Sequence, residues 1–233
     1  MRYLGTVIAL LLASCAFADD IVTMPTANQL KALEADVAAY YLDLDNPSPA
    51  PQFVQYQTLY VGLTNSIELD FHRAAVDRNE TSVVIVGQYK LLSESLVLPD
   101  VVVGARNITG EPTIINPPGS LVDLRHKSKK PSFYLSGAKT VFLNPAVPGP
   151  PLVRVHLSLG TEDWTLLGEK RHDGLFGGLQ FLFHPHLGAV VQYDSQDVIT
   201  AITYMPPKTG LTIKGGTYGD HKWIGIAYRK AFL

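Results

Sequence analysis

The sequence predicts an all-β chain: a closed antiparallel up-and-down transmembrane β-barrel of about twelve strands, following an N-terminal signal peptide. Three observations predict it. Hydrophobicity alternates with period two over most of the chain, the mark of strands with one apolar and one polar face. The alternating runs are roughly ten residues long, which suits tilted strands crossing a bilayer. After the leader, no apolar run approaches the ~20 residues of a spanning helix, so a chain that crosses a membrane here must do so as a barrel.

The leader comes first. Met1 and Arg2 form a short basic head, residues 3–15 are almost wholly apolar, and Ala16-Phe17-Ala18 is a small-x-small cleavage signal before Asp19-Asp20. Residues 1–18 are therefore read as a signal peptide and 19–233 as a single outer-membrane barrel domain. Leu12-Ala13-Ser14-Cys15 also resembles a lipobox, which leaves a second reading open: a soluble periplasmic β-sandwich lipoprotein anchored at Cys15. Cleavage after Ala18 removes the chain's one cysteine and with it any disulfide or thiol chemistry. Without Arg2 the chain has 18 basic and 21 acidic residues, a balance that argues against a nucleic-acid partner.

Beyond the leader, residues 28–39 fit a short helix or a first strand equally well. Twelve alternating runs then fall near 33–45, 52–63, 67–77, 82–92, 99–108, 132–143, 151–161, 175–184, 187–194, 198–205, 211–218 and 222–232. The clearest sets Val153, Val155, Leu157 and Leu159 against Arg154, His156 and Ser158. With the N-terminus in the periplasm, the inner turns are short and the two longest connections, 110–131 and 162–174, both fall outside. That asymmetry is the bacterial barrel pattern. The last run ends Phe232-Leu233, a partial match to the aromatic-terminated signal read by the barrel-assembly machinery, and it is interrupted by Lys230.

Several phrases resemble the YjbH-like family of outer-membrane barrel proteins. They are Thr23-Met24-Pro25-Thr26-Ala27, the run from Tyr60-Val61-Gly62 through Asn65 to Leu69, Tyr89-Lys90-Leu91-Leu92, and Val103-Gly104-Ala105-Arg106-Asn107. Gly174-Leu175-Phe176-Gly177-Gly178-Leu179 with Gln192-Tyr193-Asp194 and Asp197 adds to them. The resemblance implies an outer-membrane location and a part in exopolysaccharide production and surface-glycan secretion, with no assigned catalytic residue. Some members of that family are much longer than this chain.

Placing apolar faces toward lipid assigns Glu68, Asp70, His72, Lys90, Arg106, Lys139, Arg154, His156, Gln192, Asp194, Lys214 and Arg229 to the lumen. Gln55, Gln57, Gln88 and Gln180 join them. Cost dictates the choice, since a charge at the lipid midplane is unfavourable by ~2–4 kcal/mol. Cations outnumber carboxylates, so the lumen is expected to be mildly positive and to suit anionic or polyhydroxylated solutes. Alternatively the groups pair and plug a narrow barrel, as Glu68 and Lys90 would across the third hairpin.

His156 and Ser158 share one strand face, the spacing of an outer-membrane acyl hydrolase in which His activates Ser. Such enzymes direct the pair toward lipid, whereas Leu157 and Leu159 claim that face here. His184-Pro185-His186 lacks further ligands nearby and reads as a polar turn rather than a metal site. No cofactor is expected. The basic run Arg125-His126-Lys127-Ser128-Lys129-Lys130 reads as a solvated loop or as a contact for phosphates of lipopolysaccharide or acidic glycans. Tyr56, Tyr60, Tyr134, Tyr193, Tyr204, Trp223 and Tyr228 are candidates for interfacial girdles. The expected protein is a non-enzymatic monomer among outer-membrane lipid and lipopolysaccharide.

Overall fold

The computed structural model describes residues 25–45, 52–77, 80–112, 127–143, 151–164 and 170–232. The leader, with Cys15 and the Ala18 cleavage signal, lies outside the described residues, as do Arg125, His126 and the connection at 144–150. The described strands are β1 (Glu34–Asp43), β2 (Phe53–Gly62), β3 (Ile67–Val76), β4 (Glu80–Leu92), β5 (Asp100–Arg106), β6 (Ser132–Phe142) and β7 (Leu152–Gly160). They continue with β8 (Asp163–Trp164), β9 (Lys170–Arg171), β10 (Gly174–His184), β11 (Leu187–Tyr193), β12 (Val198–Tyr204), β13 (Leu211–Tyr218) and β14 (His221–Ala231).

Twelve of these strands form a closed barrel. Each pairs antiparallel with its neighbours in sequence, and β1 closes the circuit on β14 from Glu34 opposite Ala231 to Asp43 opposite Lys222. The two short strands β8 and β9 pair only with each other. All twelve barrel strands lie within two residues of the runs read from the sequence. Residues 28–33 are not helical: Leu33 takes a left-handed φ of 61°, and β1 starts at the next residue.

The alternation is inside-out. Leu157, Ile202 and Ile224 are each 59% exposed on the outer wall, while Glu68, His156 and Gln192 are almost wholly buried within it. An aliphatic side chain left in water forgoes about 1.5–3 kcal/mol. A wall built from them is stable in lipid, which makes this a membrane-spanning barrel rather than a soluble sandwich.

Not all of the interior is polar. Tyr40, Leu42, Val54, Ile199, Trp223 and Ala227 belong to one apolar cluster lining β1, β2, β12 and β14. Tyr40 and Trp223 meet edge-on, with ring centroids 5.9 Å apart. A side chain at Gly225 would come within 2.1 Å of the Tyr40 ring, so a glycine there lets the tyrosine lie flat against the neighbouring strand.

Register corrects part of the sequence reading. In β6 the buried positions are Ser132, Tyr134, Ser136, Ala138 and Thr140, so Lys139 points outward with Phe133, Leu135 and Val141. Its ammonium reaches the carbonyls of Ser95, Leu96 and Leu98 at the barrel rim, which keeps the charge out of the apolar belt. In β2, Val54, Thr58 and Tyr60 are buried, which turns Gln55 and Gln57 outward. Of the aromatic girdle, Tyr193, Tyr204 and Tyr228 are on the outer wall, whereas Tyr56, Tyr60, Tyr134 and Trp223 face inward.

Candidate functional site

Both chain ends of the barrel lie on one rim, here the termini end; the opposite rim is the loop end. Ahead of β1, residues 25–30 turn into the lumen at the termini end and cross it as a strap. Thr26 and Ala27 are fully buried, and Ala27 packs with Val102 of β5 and Ala138 of β6. Asn28 donates to Gln180 of β10 at 3.4 Å. Gln29 donates to the Gln88 carbonyl of β4, and the Leu30 amide donates to Glu68 of β3. The chain then reverses over the rim. The Lys31 carbonyl lies so close to Gly62 that a Cβ there would be 2.0 Å away.

Arg154 ties the strap to the wall. Its Nε donates to Asn28 Oδ1 at 2.7 Å, its Nη2 to Asp100 at 2.6 Å, and its Nη1 to Thr140 at 2.9 Å and to Glu94 of the β4–β5 turn. Four elements converge on one guanidinium, whose planar fork of donors suits this role. Lys90, which the sequence reading paired with Glu68, instead stands 3.8 Å from Asp100, while Glu68 accepts from Gln88 at 2.8 Å.

At the loop end the β8–β9 hairpin folds inward and is held by two further arginines. Arg106 of β5 donates to Asp163 at 2.7 Å, and His172 Nδ1 lies 3.2 Å from the same carboxylate. Arg171 bridges Asp194 and Asp197, stacks 4.7 Å over the Tyr218 ring, and shares Asp194 with the Tyr218 hydroxyl. Burial by itself raises the Asp163 carboxyl, but Arg106 and His172 outweigh it and hold the group below the ordinary 3.8. Burial keeps the His172 imidazole below its usual 6.5, partly offset by Asp163.

Between the two closures the lumen is lined by polar side chains. Thr58 Oγ1, both ring nitrogens of His72, His156 Nδ1, Gln88 Oε1 and both amide atoms of Gln192 have no protein partner among the described residues. Beside the strap a vestibule of about 300 Å³ opens at the termini end, lined by Asp36, Gln180, Thr203, Thr212, Lys214 and Arg229, with His186 and Lys208 at its edge. Arg229 pairs with Asp36 at 2.8 Å, and the vestibule lining holds three cationic side chains, Lys208, Lys214 and Arg229, against one carboxylate, Asp36.

Of the residues assigned to the lumen from sequence, Glu68, Asp70, His72, Arg106, Arg154, His156, Gln192, Asp194 and Lys214 are buried within the barrel. Lys90 and Arg229 share the inward parity at partial burial, and Lys139 is outside. His156 does not engage Ser158. His156 Nε2 lies 3.0 Å from Gln180 Oε1, and Ser158 Oγ lies 2.7 Å from Ser136 Oγ directly opposite on β6. Both point into the barrel, away from the lipid an acyl hydrolase would have to reach. No group of three or more His, Cys, Asp or Glu residues suited to a metal ion occurs among the described residues. His184 and His186 are ring neighbours, 5.4 Å apart, in a two-residue turn.

No protein-family profile matches the chain, and no curated protein matches it. Among solved structures, a KdgM porin overlaps 86% of this chain and 99% of its own, at 11% identity and a TM-score of 0.48. The COG4313 outer membrane channel from Pseudomonas putida F1 overlaps 91% of this chain and 98% of its own, at 12% identity and a TM-score of 0.43. The N-terminal β-barrel domain of Pseudomonas aeruginosa OprF overlaps 86% and 100%, at 9% identity and a TM-score of 0.26. The closed circuit of strand pairing, rather than these overlaps, defines the barrel.

Proposed function

We propose that this protein is an outer-membrane channel for small anionic or polyhydroxylated solutes, its aperture set by the strap at one end and the hairpin at the other. The observation that carries the reading is the luminal set of Thr58, His72, Gln88, His156 and Gln192, each with at least one buried polar atom that has no protein partner among the described residues. A buried polar atom without a partner is unfavourable by roughly 1–3 kcal/mol, so such a lining is stable only when water or a polar solute supplies the missing bonds. The excess of cationic over anionic side chains in the vestibule lining favours anions. The finer reading is passage of saccharide units of a surface glycan: Gln88, Gln180 and Gln192 offer both donors and acceptors, and Tyr40, Tyr56 and Trp223 offer apolar ring faces. The absence of a His156–Ser158 contact supports transport over acyl transfer.

Planar-bilayer recording of the purified full chain tests the proposal. Discrete current steps, with the reversal potential under a salt gradient displaced toward the anion, are the expected result. Silence in the wild type and in variants that release the strap would refute the channel reading.

A further inference from the structure

Among the described residues the outer wall is largely apolar, and one of its polar interruptions sits beside a groove. Ala39 is small where its neighbours are large, so the wall dips there into a depression of about 500 Å³, flanked by Tyr41, Gln55, Gln57, Ile224 and Ile226. The depression is polarised along the barrel axis. Gln55 lies two residues from the loop end of β2, whereas the lower part of the groove is closed by Ile226 of β14 and Ile213 of β13 toward the termini end. Arg73 of β3, exposed and directly across the ladder from Gln57, donates to the Gln57 side-chain oxygen at 3.1 Å. Tyr41 and Phe53 stack on the outer wall at the same rim, with ring centroids 5.3 Å apart. Stacked aromatics of this kind mark the level where hydrocarbon gives way to head groups.

We infer that this groove binds one molecule of the phosphorylated, acylated glycolipid of the outer leaflet: an acyl chain lies over Ala39, and the phosphate and sugar meet Arg73, Gln57 and Gln55. The inference rests on the membrane placement proposed above, with the loop end outward, and not on channel activity. Complementarity decides the occupant. Arg73 lies three residues from the loop end of β3, and an arginine facing lipid costs far less near the interface than at the midplane, so Arg73 fits the head-group level. There its guanidinium suits the geometry of a phosphate. Two glutamine amides add donors and acceptors that match sugar hydroxyls. From Gln57 an apolar row of cross-strand partners, Ala39, Ile226 and Ile213, leads away along the groove, as an acyl chain requires. A second copy of the barrel would bury Arg73 and both glutamines against an identical patch, setting like charges together.

The test uses the full chain refolded in detergent without lipid, with purified lipid A added and adducts counted by native mass spectrometry. The wild type is expected to bind one lipid A. Arg73→Ala is expected to weaken that binding at least tenfold, Arg73→Lys to restore part of it, and Ala39→Phe to abolish it by filling the groove. Heat-shifted gel mobility confirms that each variant is a folded barrel, and bilayer recording of the same samples keeps failure of the channel reading separate. Unaltered lipid A binding in both Arg73→Ala and Ala39→Phe overturns the assignment. So does equal binding of phosphatidylglycerol, or a dimer that Ala39→Phe dissolves.

Discussion

Releasing the strap is the sharpest test of how the lumen is closed, and Asn28→Ala is the mildest way to release it. The substitution removes the 2.7 Å bond from Arg154 and the 3.4 Å bond to Gln180, and leaves the wall untouched. Arg154 keeps Glu94, Asp100 and Thr140, so no buried charge is stranded. A hydrogen bond to a charged group contributes about 1.5–3 kcal/mol, and the retained partners place this one toward the lower figure. Since ~1.4 kcal/mol is a factor of ten, the undocked population should rise about tenfold. Single-channel recording reads this as time spent in the larger conductance state, and limited proteolysis reads it as faster cleavage within residues 25–33. Gly62→Val reaches the same end by sterics, because the Lys31 carbonyl occupies the space a side chain needs. If both variants match the wild type in conductance and cleavage while keeping their heat-shifted mobility, the strap does not close the pathway.

Two further outcomes follow from the ion pairs. Arg154→Met removes the nearest cation from Glu94 and Asp100 and leaves each a lysine at 3.8 Å, Lys139 and Lys90, so the loss falls below the about 3–5 kcal/mol of a buried pair broken outright and is read as a lower urea midpoint in folding titrations. Acid should loosen the β8–β9 hairpin. His172 is held below 6.5 and Asp163 below 3.8 when docked, so the undocked hairpin binds more protons. Docking is therefore complete above pH 6.5, weakens first as an undocked His172 takes up its proton, and is lost further as pH falls through the docked value of Asp163. A spin label at Lys170 that grows more mobile from pH 7.5 to 5 supports this, and unchanged mobility counts against it.

The wall was legible because a membrane barrel imposes one rule on every strand. Lipid outside and a polar interior force period two, and a run such as Leu152–Gly160 admits only one register. Legibility failed where chemistry did not distinguish the faces. In β2, Gln55 and Gln57 alternate with Tyr56 and Thr58, and neither set is plainly apolar. Lys139 looks luminal as a charge, yet near a strand end it can face outward and reach rim carbonyls. The apolar sector around Tyr40 and Trp223 was hidden for the opposite reason, since a ring on an alternating strand reads as lipid-facing. The strap left no trace in periodicity. Its bonds join Asn28 to Arg154 and Gln180, partners far away in sequence, and no local spacing encodes them.

The two closures differ from the wall in what holds them. Backbone bonds run the full circuit from β1 to β14, so no part of the wall opens without breaking a ladder. The strap and the hairpin are held mainly by side chains on arginines: Arg154 at one end, Arg106 and Arg171 at the other. Each such bond to a charged group contributes about 1.5–3 kcal/mol, and none of them is part of the backbone ladder. Undocking at either end breaks side-chain contacts and leaves the ladder of the wall intact. A continuous ladder with side-chain-held closures at its two ends is the arrangement that the proposed channel calls for.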